Sequence, residues 1–242
     1  LIDCCAGVCE LDAVVRLITD KPVEVLVTHA HADHIGGASW FPTARLHPKE
    51  LGRARAYVSV GQKLYFLNMH RYRCSSNNIR ARDAFQRKFK TEFLPVNEGD
   101  VFDLGGRKIE SFFTPGHTIG HMIFRDTLTG SVFAGDNVNK LVTLQYPFAD
   151  SMETWVRAAE RTLEIAGDGT MYGGHGNYPI VIDDVRQCID AAKEIIAAAD
   201  PAAHRPVRDT HLVNTDKKLI AKKTVGPEKL PAIVYRLDRI TD

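Results

Sequence analysis

Residues 28–37, with the sequence Thr-His-Ala-His-Ala-Asp-His-Ile-Gly-Gly, place the strongest constraint on what this chain can fold into. Three histidines and one aspartate fall within six residues, directly after the apolar run of residues 23–27. His29 and His31 are two apart, so both rings project to one side of an extended segment. Imidazole and carboxylate groups suit zinc and similar divalent ions. Four of them so close together can hardly all bind one tetrahedral ion, which favours two neighbouring metals. The alternative is a polar loop with incidental histidines.

Three later segments offer further ligands in similar settings. His117 follows the apolar run of residues 109–113 within the sequence Thr-Pro-Gly-His-Thr-Ile-Gly-His. Asp136 follows Phe-Ala-Gly, and His175 follows Tyr-Gly-Gly. Each candidate lies where a predicted strand ends and glycine allows the backbone to turn sharply. A sheet scaffold commonly presents functional groups at such strand ends.

These segments, between residues 28 and 176, resemble the motifs of the metallo-β-lactamase superfamily in the same order. The resemblance implies the α+β fold class, as an αββα four-layer sandwich in which two mixed sheets pack face to face between helices. It also implies that His29, His31 and His117 bind one metal, that Asp33, His34 and His175 bind the second, and that Asp136 bridges them. A Leu-Ile-Asp segment in the superfamily usually ends an early strand after a hairpin, so we expect a native N-terminal segment to be missing before Leu1.

Two divalent ions about 3.5–4 Å apart can hold a hydroxide between them as the nucleophile and polarise the substrate oxygen. Asp33 is the predicted catalytic residue, which would orient this nucleophile and take up its proton. Zinc is the expected metal, with iron or manganese as alternatives, because imidazole accepts all three. Further candidates for contact with substrate or ligands are His121, Asn137, Lys140, Tyr146, Tyr178 and His70.

Departures from particular branches of the superfamily narrow the function. The class B β-lactamases generally lack an aspartate at the position of Asp136, which argues against antibiotic hydrolysis. The Gly-His-Thr-x-Gly-His and Gly-Asp patterns are closer to glyoxalase II and the lactonases, although no C-terminal segment resembles the glutathione-binding part of glyoxalase II. Persulfide dioxygenases share the early motif but differ after Gly-His-Thr. The first hypothesis is therefore a dinuclear metal-dependent hydrolase of a carboxylic ester, thioester or lactone.

Two other functions stay open. One is a metal-dependent phosphodiesterase or ribonuclease of the same superfamily, and the other is a noncatalytic binding protein with a relict site. Residues 49–92 bear on this choice, because they contain eleven basic and three acidic residues interleaved with aromatic ones. The section reads as a mostly helical insertion with a polar break at residues 75–78. It is either a lid over the metals, suited to an anionic or aromatic substrate, or a solvated helical surface.

Composition supports one soluble domain spanning residues 1–242, with the basic insertion at about 49–92. The net charge is +1 over 242 residues, so no global field points to nucleic acid or membrane, and no apolar run reaches a membrane span. Five cysteines, an odd number, do not suggest a disulfide framework, and the cytoplasm is the expected location. A small-molecule substrate, which can be anionic, is the expected partner. Nucleic acid and the oligomeric state are left open.

Apolar periodicity predicts the elements that carry these motifs. Helices are expected at residues 10–18, 151–166 and 183–199, with Ser151 as an N-cap of the second. Gly105 and Gly106 are expected to form a two-residue hairpin turn. Strands are expected at residues 23–27, 101–104, 108–113, 122–125, 131–134 and 232–237.

Overall fold

The computed structural model describes residues 1–70, 87–176, 179–199, 211–212, 220–226 and 230–242. The chain divides into two compact units, Leu1–Asn97 and Glu98–Asp242. The assignment of residues 1–242 to one domain stays a prediction. Within the described ranges, no helix combines the length and the apolar character needed to cross a membrane.

Parallel extended segments form the centre of the first unit. Strand β1 (Thr43–Leu46) pairs in parallel with β2 (Glu92–Pro95). On its other side, β1 meets the residue 23–27 segment, where Leu26 forms isolated parallel bridges with Arg45 and Ile2. The predicted strand at 23–27 is therefore an extended segment, paired by single bridges on both sides rather than by a regular ladder. It still leads directly to His29.

Short helices surround these segments. They are α1 (Leu11–Arg16), α2 (Ala32–Ile35), α3 (Leu51–Tyr57) and α4 (Val60–His70), with 3-10 turns at Gly36–Trp40 and Pro48–Glu50. The helix predicted at 10–18 ends two residues early. Leu11 and Val15 pack against the buried cluster, whereas Val14 and Ile18 are exposed. The apolar residues do lie at helical spacing, but the unit buries only two of the four.

The basic section begins as predicted, with helices α3 and α4. It ends in β2, a strand that the sequence did not predict. The predicted polar break at residues 75–78 lies outside the described residues.

The second unit contains two sheets. One has the strand order β3 (Val101–Asp103), β4 (Lys108–Phe113), β5 (Met122–Asp126), β6 (Val132–Gly135) and β8 (Met171–Gly173). The other has the order β7 (Leu141–Leu144), β11 (Ala232–Arg236), β10 (Ile220–Thr224) and β9 (His211–Leu212). The β6–β8 and β11–β7 pairs are parallel and the other pairs antiparallel, so both sheets are mixed, as predicted. Gly105 and Gly106 form the expected turn, both with positive φ.

Helices α5 (Met152–Ala166) and α6 (Ile182–Ala198) pack with these sheets. Ser151 caps α5 as predicted, because its side chain accepts a hydrogen bond from the amide of Thr154 at 3.0 Å. Ile123 of β5, Ile233 of β11, Trp155 of α5 and Ile189 of α6 belong to one buried cluster. Both sheets and both helices thus share one apolar core, which fixes the ends of the strands.

Candidate metal centre

The first unit gathers four of the predicted ligands around helix α2. His29 precedes the helix, His31 is its N-cap residue, and Asp33 and His34 lie within it. The Nε2 atom of His29 lies 3.0 Å from Nδ1 of His31, and Nε2 of His34 lies 3.9 Å from Oδ2 of Asp33. His29 and His34 are buried, with their ring centroids 4.1 Å apart. The sequence prediction that these side chains converge is consistent with this geometry.

Asp3 orients two of these imidazoles. His34 Nδ1 donates to Asp3 Oδ2 at 2.7 Å, and the amide and hydroxyl of Thr28 donate to the same carboxylate at 2.8 and 2.9 Å. Because the Thr28 hydroxyl donates to Asp3, it accepts from His29 Nδ1, which lies 3.0 Å away. Both rings therefore carry their proton on Nδ1 and direct the Nε2 lone pair towards the other ligand candidates. Such partners fix the tautomer of histidine ligands.

This arrangement suits divalent cations. Two imidazole nitrogens bound to one tetrahedral zinc ion lie about 3.3 Å apart, given metal–nitrogen distances of about 2.0–2.1 Å. The 3.0 Å separation of the His29 and His31 nitrogens is close to that value. The imidazole and carboxylate groups are also those that zinc, iron and manganese accept.

Close backbone packing explains the two glycines that follow the cluster. A Cβ atom on Gly36 would lie 2.4 Å from the carbonyl oxygen of Ala6, and one on Gly37 would lie 2.1 Å from that of Cys4. The loop after Asp3 thus packs directly onto the end of α2. This contact holds Asp3 close to the ligand candidates.

Sequence reasoning did not identify Asp3 as part of the site. The signal was a lone carboxylate at the end of the Leu-Ile-Asp segment, but its partner His34 is 31 residues away. Its positive φ of 57° is a further mark of a constrained position.

Replacing Asp3 with alanine is expected to weaken zinc binding by about 10–100-fold, the usual effect of removing a carboxylate that orients a histidine ligand. Competition against a chromophoric chelator measures this affinity. Asp3→Asn is the matched variant, since its one amide oxygen, placed where Oδ2 lies, can still accept from His34 and from the Thr28 hydroxyl but not from the Thr28 amide. Equal zinc affinity of Asp3→Ala and the wild type would contradict the orienting role.

The second unit brings the other three predicted ligands together at strand ends. His117 follows β4, Asp136 directly follows β6, and His175 follows β8. Asp136 Oδ2 lies 3.1 Å from Nε2 of His175 and 3.7 Å from Nε2 of His117. One carboxylate therefore lies between two imidazoles, as a bridging ligand would.

Buried hydrogen bonds orient His117. Its Nδ1 donates to the carbonyl oxygen of Thr143 at 2.7 Å, which leaves the Nε2 lone pair on the side of Asp136. Gly116 is required just before it, because a Cβ there would lie 2.8 Å from both the Asn137 side chain and the Trp155 ring. The backbone can thus approach α5 closely at this point.

His121 and Asn137 accept hydrogen bonds from the backbone amides of two ligand candidates. The amide of Asp136 donates to His121 Nε2 at 3.3 Å, and the amide of His117 donates to Asn137 Oδ1 at 3.2 Å. Both side chains are fully buried. Of the roles considered for them, these contacts favour support of the ligands over contact with substrate.

The other candidates differ in their surroundings. Tyr146 is 40% exposed, and its ring packs edge-on against His117 with centroids 5.9 Å apart. Lys140 pairs with Asp184, their Nζ and Oδ2 atoms lying 3.4 Å apart. Tyr178 and the side chain of His70 lie outside the described residues. The assignment of all seven ligands to one dinuclear centre stays a prediction.

A family model described as the metallo-beta-lactamase superfamily matches residues 10–200. The chain belongs to this superfamily. The resemblance stated from the sequence motifs is therefore confirmed.

Relatives and solved structures agree with this assignment. An acyl-coenzyme A thioesterase, MBLAC2, from Bos taurus is 27% identical over 152 residues, covering 62% of this chain and 53% of the relative. A hydroxyacylglutathione hydrolase from Maricaulis maris is 42% identical over 45 residues, covering 19% of this chain and 18% of that protein. This chain thus spans about half, or less, of these relatives.

The fold is shared with a metallo-beta-lactamase family protein, TTHA1429, from Thermus thermophilus. That structure has a TM-score of 0.55 and 19% identity, and covers 81% of this chain and 71% of its own. The predicted α+β fold class is confirmed by this likeness and by the family model.

Proposed function

We propose that this protein is a metal-dependent hydrolase that cleaves the acyl bond of a thioester, a carboxylic ester or a lactone. The observation that carries the proposal is the carboxylate of Asp136 between the imidazoles of His117 and His175. A carboxylate flanked in this way is suited to hold two cations close together. The superfamily resemblance assigns one cation to His29, His31 and His117 and the other to Asp33, His34 and His175.

When bound, two divalent cations supply Lewis acidity, which lowers the pKa of a water molecule and stabilises negative charge on the substrate oxygen. The residues of the chain supply the rest of the chemistry. Asp33 is half-buried, lies in the first turn of α2 and is the proposed proton acceptor. Asp3 accepts a hydrogen bond from Nδ1 of His34, the neighbour of Asp33, and so orients that imidazole. Tyr146 presents an exposed ring beside His117 against which an acyl group can pack.

Thioesters are the proposed substrate class within this group. The bovine relative is named an acyl-coenzyme A thioesterase, and the Maricaulis relative a hydroxyacylglutathione hydrolase. Both names describe hydrolysis of a thioester of a small molecule. We propose zinc as the metal, because the ligand set is rich in imidazole.

Three of the eleven basic residues in the basic section bear on the choice between acyl and phosphodiester substrates. Lys63 is buried and donates to the Ser39 hydroxyl at 2.9 Å, and Lys88 donates to Asp12 at 2.8 Å. Arg53 lies 3.6 Å from the buried carboxylate of Glu50. These three cations are already engaged within the first unit, so they fit a structural role better than phosphate binding.

Cytoplasmic location is also a proposal. Cys4, Cys5, Cys9 and Cys188 are free thiols among the described residues. Free thiols are typical of proteins in a reducing compartment.

Removal and return of metal test the proposed function. The purified full chain is expected to contain about two zinc ions per molecule and to hydrolyse acetyl-coenzyme A and p-nitrophenyl acetate faster than bis-p-nitrophenyl phosphate. Treatment with a chelator should abolish turnover, and added zinc should restore it, because the metals supply the Lewis acidity. Faster turnover of the phosphodiester would show that the protein is a phosphodiesterase and not an acyl hydrolase. Turnover after complete metal removal would refute the mechanism.

A further inference from the structure

Glu50 is a buried carboxylate outside the predicted ligand set. Glu50 is the last residue of the 3-10 turn Pro48–Glu50, which leads into helix α3, and it is only 1% exposed. A charged group is costly to bury unless other groups compensate for its lost hydration. The partners of Glu50 therefore indicate what this charge does.

The backbone of the ligand segment is one of these partners. The amide of Ala30 donates to Glu50 Oε2 at 3.3 Å. Ala30 is itself buried and lies between His29 and His31. The orientation of its peptide group sets the relative positions of these two residues, whose ring nitrogens lie 3.0 Å apart.

Helix α3 contacts the same segment again at its other end. The ring of Tyr57, the last residue of α3, packs edge-on against the ring of His31 with centroids 6.0 Å apart. Arg53, one turn after Glu50, lies 3.6 Å from its Oε1 atom and partly balances its charge. Helix α3 and its N-cap residue Glu50 therefore contact both the backbone and a side chain of the His29–Ala30–His31 segment.

We propose that Glu50 is a positioning residue that holds the Ala30 peptide so that His29 and His31 converge on one metal ion. This inference rests on the proposed function, since it concerns the metal that these histidines would bind. Without the carboxylate, the buried Ala30 amide loses an acceptor, and rotation of the peptide to recover one moves both histidines. Partners that orient metal ligands typically change metal affinity by about 10–100-fold.

Four variants of the full chain test the proposal. Glu50→Ala removes the acceptor, whereas Glu50→Gln removes the charge but keeps an oxygen that can accept from Ala30. Asp12→Ala is the matched control, because Asp12 is another buried carboxylate of the first unit whose partners are Arg16 and Lys88. Zinc affinity is measured by competition with a chromophoric chelator, and the ligand field by cobalt absorption. His31→Ala identifies the binding step that belongs to His29 and His31.

Glu50→Ala is expected to weaken that binding step by at least about tenfold and to alter the cobalt spectrum, with the other step unchanged. Glu50→Gln should restore the affinity to within about threefold of the wild type. Asp12→Ala should lower the melting temperature without changing either binding step.

Equal weakening by Asp12→Ala and Glu50→Ala would show a general loss of structure and overturn the proposal. An unchanged binding step in Glu50→Ala would also overturn it, while leaving the proposed function intact. A wild-type chain that binds neither zinc nor cobalt would instead refute the proposed function on which the inference rests.

Discussion

Replacement of Asp136 by asparagine is expected to lower kcat/KM for an acyl substrate by roughly 10²–10³-fold. The substituted side chain would keep the shape of the aspartate but lose the charge between His117 and His175. A metal pair contributes several kcal/mol of charge stabilisation in the transition state, and each 1.36 kcal/mol corresponds to about a tenfold change in rate. Steady-state kinetics with an acyl thioester, together with zinc content per chain, measure both consequences.

The matched control is Asp126→Asn in the same unit. Asp126 is also buried, but it accepts hydrogen bonds from the amide of Leu128 and the hydroxyl of Thr129 in a surface turn. Burial by itself raises the pKa of the Asp126 carboxyl, and these hydrogen bonds, with Arg107, lower it to a net value below normal. Its substitution should cost stability and leave zinc content unchanged. An Asp136→Asn protein with two zinc ions and normal turnover would refute the bridging role.

The parts of the fold that sequence predicted have strong local signals. Strand β4 was predicted with its observed bounds, because it is an apolar run that lies between two turns. Helix α5 was predicted together with its N-cap at Ser151. Strands β1, β2 and β7 are among those that were not predicted, since each is defined by pairing with a distant partner. Of β2, only Glu92 fell within the basic section at 49–92, and no element was predicted for residues 93–95. These strands form because they pair with segments far away in the sequence.

The residues of the candidate site also fall into those that the sequence could predict and those that it could not. The seven ligand candidates could be named because histidine and aspartate at strand ends form recognisable motifs. Asp3 and Glu50 could not, since their contacts with His34 and Ala30 join residues 31 and 20 positions apart. Glu50 was counted only as one acid in a basic section. Likewise, spacing could not reveal that His121 accepts from the Asp136 amide, because that depends on which ring nitrogen faces inward.

The largest expected loss of stability follows from replacing Trp155, which joins the apolar core to the predicted metal ligand His117 through Asn137. Its ring is fully buried in the main cluster of the second unit, and its Nε1–H donates to the carbonyl oxygen of Asn137 at 2.7 Å. Asn137 in turn accepts from the amide of His117. Trp155→Ala is therefore expected to lower the free energy of unfolding by about 3–5 kcal/mol through lost packing and an unfilled cavity.

Trp155→Phe separates the hydrogen bond from the packing, because it keeps an aromatic ring and removes the N–H donor. It is expected to cost about 1–3 kcal/mol, since the buried carbonyl of Asn137 loses a donor, and to weaken zinc binding through His117. Val156→Ala is the control, as Val156 is buried in the same helix and cluster. Denaturant unfolding and zinc competition on the three proteins measure both quantities. If Trp155→Phe and Val156→Ala left zinc affinity equally unchanged, the tryptophan would serve packing alone; a selective loss in Trp155→Phe would show that the core holds His117 through Asn137.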